Sequence, residues 1–105
     1  MLQSALRHGL IALLLITPAL AAPTAKQRGK AFAQANCARC HSIDRGSKSP
    51  LKLAPPLRTL HDRYPIEALE EALAEGISTG HPSMPAFELE PDQIYDLLSY
   101  LKTLE

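Results

Sequence analysis

The stretch "ANCARCHSID", residues 35–44, holds both cysteines of the chain, Cys37 and Cys40, and sets His41 directly after the second. Three chemistries use such a cluster. A Cys-x-x-Cys pair can exchange electrons as thiols, the two sulfurs and the imidazole can ligate a metal ion, or all three can hold a larger prosthetic group. The surroundings of the cluster discriminate among them.

A thiol oxidoreductase wants the motif at the start of a helix that follows a strand, and the chain has no apolar alternation long enough for a sheet. A structural zinc needs four ligands, normally from a second Cys or His pair. His61 and His81 lie twenty residues apart, so a zinc site would be irregular. Cys-x-x-Cys-His is also the attachment signature of c-type haem. Two thiols reach two vinyl groups of one porphyrin, and the adjacent imidazole is thereby brought under the iron.

With 105 residues, 46% of them apolar and 21% charged, the chain has the composition of one small folded domain rather than a disordered segment. Residues 1–21 read as a cleaved secretory signal: Arg7 and His8 precede the apolar run "LIALLLI", and "ALA" at 19–21 offers small residues for cleavage. That run is interrupted by Thr17 and Pro18 and is shorter than the ~20 residues a spanning helix needs. The expected domain is therefore 22–105, exported to an oxidising compartment such as the periplasm. A domain of about 84 residues is near the size at which an apolar core alone is marginal and a cofactor is usually enlisted. Export strengthens the haem reading, because thioether formation is an extracytoplasmic reaction in bacteria.

Charge is segregated along the chain although its net value is zero. Residues 22–63 hold nine Lys or Arg against Asp44 and Asp62, whereas residues 64–105 hold nine Asp or Glu against Lys102. Solvated faces or a docking dipole would each produce this pattern.

Helical signals dominate. Thr24 with Gln27 three residues later is a reciprocal capping pair, which places a first helix at about 25–36, running into the motif. Gly29 inside it costs about 1 kcal/mol relative to Ala, so something close is expected to need the missing side chain. The loop "SIDRGSKSPLKLAPP" follows, then a short helix over "LRTLHDRY" that stops before Pro65. In "PIEALEEALAEG", Pro65 suits the first helical position and Gly76 the C-terminal cap, with Ile66, Leu69 and Leu73 on one face. "PDQIYDLLSYLKTLE" has Asp92 at its positive end, Lys102 at its negative end, and a stripe of Ile94, Leu97, Leu98 and Leu101 flanked by Tyr100. The expected architecture is all-α, three main helices joined by long loops, and loops of such length in a small domain are usually functional.

One loop isolates Met84, the single Met after Met1, between Pro82 and Pro85. Thioether sulfur is soft and neutral, suits Fe(II) and raises a haem potential, so Met84 is the candidate for the second axial position. The flanking prolines restrict the backbone that would present it.

Taken together, the Cys37–Cys40–His41 motif, Met84, "APPL" at 54–57 and the helices resemble a small bacterial class I (monohaem) cytochrome c over nearly all of residues 22–105. The resemblance implies one haem c per chain, held by thioethers to Cys37 and Cys40, with His41 the proximal and Met84 the distal ligand. It also implies that the Pro55 carbonyl accepts a hydrogen bond from His41. In the family the first and last helices cross with a glycine beneath an aromatic residue, and Gly29, Tyr100 and neighbouring Leu97 match those positions. The family's long mitochondrial members use a Trp to hold a haem propionate; this chain has none, leaving Arg58, Arg63 and Tyr64 as candidates. His81 reads as structural, and His61 has no assigned role.

The implied function is that of a periplasmic one-electron carrier rather than an enzyme, cycling between Fe(II) and Fe(III) and docking in turn with a donor and an acceptor protein. The expected docking surface is a basic rim near the haem edge. Neither a nucleic-acid partner nor membrane insertion after signal cleavage is expected. The alternative is a haem subunit or domain of a periplasmic redox enzyme such as a dehydrogenase or peroxidase, which would keep its sixth iron position open.

Overall fold

The computed structural model describes residues 9–78, 81 and 83–105. Three α-helices organise them: α1 (Ala25–Asn36), α2 (Leu69–Glu75) and α3 (Pro91–Lys102). Two 3₁₀ helices, Leu57–Asp62 and Ile66–Ala68, precede α2, and the described residues contain no strand. The all-α expectation holds.

Helix α1 begins as its sequence dictates. Thr24 Oγ1 accepts from the Gln27 N–H at 3.2 Å while Gln27 Oε1 accepts from the Thr24 N–H at 2.9 Å, so two end groups of the helix are satisfied reciprocally. At the start of α3, Pro91 occupies the first turn and the Gln93 side chain accepts from the Glu90 N–H at 3.0 Å. The segment after Pro65 departs from expectation in detail. Pro65 lies outside the helix with ψ 138°, and its carbonyl takes the Ala68 N–H at 3.0 Å, so the first turn is 3₁₀ and α proper starts at Leu69. With no polar side chain at the cap, the tighter i→i+3 bond satisfies the end instead. Gly76 closes α2 at φ 104°, a conformation that favours glycine.

The stretch 57–62 is likewise 3₁₀, and its i,i+3 pair Leu57 and Leu60 falls on one buried face, as that helix's eclipsed geometry requires. These two join Ala33 of α1, Ile66, Leu73 of α2 and the α3 stripe Ile94, Leu97, Leu98, Leu101 in one core, which Tyr100 and Leu104 complete.

The dominant contact in this core is the crossing of α1 and α3. A Cβ placed on Gly29 would lie 1.9 Å from the Asp96 carbonyl oxygen and 2.8 Å from Tyr100 Cβ. The glycine expected to need a missing side chain therefore admits the backbone of α3 itself. Beside it the Arg28 guanidinium grips both Asp96 carboxylate oxygens, at 2.9 and 3.0 Å, and reaches the Pro23 carbonyl at 2.6 Å.

Gly29→Ala cannot be absorbed by a rotamer change, since the clash is with backbone. We expect it to destabilise the protein by about 3 kcal/mol, the upper part of the usual overpacking range. Denaturant unfolding of the full-length protein measures this; a variant as stable as its parent would show that the crossing tolerates a wider separation.

Candidate functional site

Helix α1 unwinds into the Cys motif through its own last carbonyls. The N–H groups of Cys37 and Ala38 both bond to the Ala33 carbonyl, at 2.8 and 3.0 Å. Cys40 and His41 then bond back to the Cys37 carbonyl at 3.1 and 2.9 Å, so Cys37, Cys40 and His41 issue from one compact turn. All three residues are half-buried.

His41 Nδ1 lies 2.7 Å from the Pro55 carbonyl oxygen. A carbonyl only accepts, so Nδ1 carries the proton and the neutral ring has its lone pair on Nε2. The two segments are tied on either side of this bond, by Leu51 N–H to the Cys40 carbonyl at 3.1 Å and by Leu57 N–H to the Ser42 carbonyl at 2.9 Å.

Beyond His41 the loop is held by polar groups. The Asp44 carboxylate accepts from the Gly46 and Ser47 N–H groups at 2.9 and 2.7 Å and from Ser47 Oγ at 2.8 Å. Those bonds, aided by Arg58, hold its pKa down to about 2. The Tyr100 hydroxyl donates to the Ile43 carbonyl at 2.5 Å, and Arg45 donates to the Thr103 carbonyl, joining the loop to α3 and its C-terminal cap. Burial raises the Tyr100 pKa, keeping that hydroxyl a donor.

Cys37 and Cys40 are free thiols, and burial pushes the Cys37 pKa up to about 11. A redox-active thiol pair depends on a lowered pKa, so this environment opposes thiol exchange. Among the described residues no group of three or more His, Cys, Asp or Glu side chains is arranged to hold a metal ion.

Met84 sits on the separate loop between α2 and α3, half-buried, its N–H bonded to the His81 carbonyl at 3.1 Å. Pro82, the first of its flanking prolines, lies outside the described residues. Of the propionate candidates, Arg58 is half-buried and bonded to the Ser42–Ser47 loop, whereas Arg63 and Tyr64 are exposed. A groove of about 660 Å³ lies between α2 and α3 but is lined by no Cys, His or Met. Size does not mark the site here.

Sequence reasoning missed the roles of Ser42, Asp44, Ser47 and Arg58. The signal was present in "DRGS", where an Asp followed by Gly and Ser favours a turn closed by the carboxylate on nearby N–H groups.

The "Cytochrome c" family model matches residues 26–105. This chain belongs to the cytochrome c family. Cytochromes c are haem-carrying electron-transfer proteins, and Cys37, Cys40 and His41 fit the family's Cys-x-x-Cys-His motif. Among curated proteins, a cytochrome c-553-like protein of Synechocystis sp. (strain ATCC 27184 / PCC 6803 / Kazusa) is 38% identical over 77 residues, spanning 73% of this chain and 67% of the relative. No solved structure gives a significant match.

The lowered pKa of Asp44 fixes the sign of a pH effect. In the unfolded chain the carboxylate titrates at ~3.9; the Ser47 and Gly46 N–H bonds of the fold hold it down to about 2. Its contribution is complete above the first value and disappears as pH falls through the second. Asp44→Asn should flatten the loss of stability across that window while leaving the neutral-pH transition cooperative. Thermal unfolding midpoints of both proteins at stepped acid pH provide the check, and parallel curves would count against it.

Proposed function

We propose that this protein is an exported monohaem c-type cytochrome that carries single electrons between protein partners, with His41 and Met84 as the axial ligands. The observation that carries this reading is the 2.7 Å bond between His41 Nδ1 and the Pro55 carbonyl. It orients the ring, leaves Nε2 as the ligating nitrogen and makes the imidazole a stronger electron donor. The donor set fits haem c: two free thiols from the same turn as the histidine give Cys37 and Cys40 as the thioether anchors. Bound haem c supplies the one-electron Fe(II)/Fe(III) couple.

Met84 provides a ligand of opposite character to His41. Its neutral sulfur favours the reduced state, and a firmly held thioether suits a carrier rather than an enzyme, which needs an open position. The Met84 N–H is held by the His81 carbonyl at 3.1 Å.

Residues 1–21 are assigned as the export signal and 22–105 as the functional domain in the periplasm. Supporting this division, the family match starts at 26 and α1 at Ala25, while Leu10, Leu13, Leu14 and Leu20 stand 80–97% exposed ahead of it. Among the described residues no helix is long and apolar enough to cross a membrane; Arg7 and His8 of the signal lie outside them.

Partner docking is assigned to the basic half, where Arg39, Lys48 and Lys52 are exposed on and after the motif turn. Complementary charge in such brief encounters raises association rate more than affinity.

Full-length protein produced with a haem-attachment system should hold haem through denaturing electrophoresis, and Cys37→Ala with Cys40→Ala should abolish that. Met84→Ala should remove the far-red sulfur-to-iron absorption of the oxidised form, lower the potential and open the reduced form to rapid carbon monoxide binding. A parent that already binds carbon monoxide rapidly would show that Met84 is no firm ligand and favour the redox-enzyme alternative. Reduction by an acidic partner should slow as ionic strength rises, because screening at 0.1 M salt acts within about 10 Å; a salt-independent rate would rule out the basic rim.

A further inference from the structure

Ser42, immediately after His41, is only 3% exposed, yet it is polar and carries a hydroxyl. Its Oγ lies 3.1 Å from Arg58 Nη1 and 2.8 Å from Ser47 Oγ, which in turn lies 2.8 Å from the Asp44 carboxylate. The direction of every proton in this chain is fixed by its ends. A guanidinium only donates and a carboxylate only accepts, so Ser42 accepts from Arg58 and donates to Ser47, which donates to Asp44. The same Nη1 lies 2.8 Å from the Ser47 carbonyl and 3.4 Å from that of Asp44.

We propose that Arg58 is a positioning residue for His41: by drawing Ser42 Oγ and the Ser47 carbonyl onto one guanidinium nitrogen, it holds the Pro55 carbonyl against His41 Nδ1. The proposal rests on the reading of His41 as an axial ligand. Ser42 is covalently next to His41, and Arg58 follows Pro55 by three residues at the opening of the 3₁₀ helix. Beyond the bond from Leu51 N–H to the Cys40 carbonyl, the two segments are thus joined at three successive places: His41 to Pro55, the Ser42 carbonyl to Leu57 N–H, and Ser42 Oγ to Arg58. The first two, with Leu51 N–H to the Cys40 carbonyl, set the path of the two backbones past each other. Arg58 adds a third point and closes the 42–47 loop over it. Arginine suits the half-buried position, since its guanidinium is weakly hydrated and reaches several oxygens at once.

The experiment uses the haem-loaded, full-length protein in the reduced state, following solvent exchange of the His41 Nδ1 proton by NMR. Arg58→Met and Ser42→Ala should each speed that exchange by about tenfold, the scale of one lost net hydrogen bond, and together by no more than either alone. The far-red Met84 band of the oxidised form should persist in all of them. Ser42→Ala leaves the charge of Arg58 in place, so a raised reduction potential in that variant reports a less electron-rich imidazole and not an altered surface charge. Exchange as slow as in the parent overturns the proposal. So does equal acceleration by Leu73→Ala, a core change in α2, at matched loss of stability. If the Nδ1 proton of the parent shows no shift from a porphyrin ring current, His41 is not a ligand and the functional reading falls with it; normal ligation with unchanged exchange removes Arg58 alone.

Discussion

A carbonyl oxygen of α3 enters the flank of α1 where Gly29 has no side chain, and the rest of the molecule depends on that approach. Helix α1 delivers the Cys37–His41 turn from its C-terminal end, while among the described residues α3 supplies five of the eleven buried core residues, more than any other element. Setting the two helices apart by the width of a methyl group would lift Ala33 off the stripe. It would also draw Tyr100 away from Ile43 and Arg45 away from Thr103, the two bonds through which α3 grips the loop after the motif. One missing Cβ therefore sets the position of a histidine twelve residues further along the chain.

The site itself is built by different means. Between Ser42 and Leu57 only Ser42, Ala54 and Leu57 are buried, and the shape is kept by hydrogen bonds. Ordering a residue costs about 1–2 kcal/mol, whereas a hydrogen bond returns about 1 kcal/mol net. On that comparison the loop is not self-sufficient. Its apolar side chains Leu51 and Leu53 stand 41% and 73% exposed and contribute little burial of their own.

Much of this was legible in the sequence because it is local. The Thr24–Gln27 cap, the Gly76 stop and the α3 stripe follow from spacing alone, and the structure places them as read. The 3₁₀ start of the segment after Pro65 was less legible, since the choice between i→i+3 and i→i+4 bonding turns on a missing cap rather than on an apolar pattern. Gly29 could be flagged as anomalous from sequence, but of its distant neighbours Tyr100 came only through the family resemblance, and the Asp96 carbonyl, 67 residues away, was not foreseen. The bond between His41 and Pro55 was available in the same way. The Ser42–Ser47–Asp44 relay was not, because serines in a Gly- and Pro-containing loop look alike until burial distinguishes them.

The basic half of the chain is made of two kinds of cation. Arg28, Arg45 and Arg58 are committed to fixed partners: Asp96, the Thr103 carbonyl and the Ser42–Ser47 loop. Lys26, Lys30, Lys48 and Lys52 are exposed, as are Arg39 and Arg63. A rigid guanidinium fork gives directional, long-lived bonds, whereas an ammonium on a flexible stem remains hydrated and gives diffuse ones. Fixed cations thus act as rivets and mobile ones as a yielding coat of charge. In the proposed carrier role such a coat lets many orientations of a partner be sampled and none be kept.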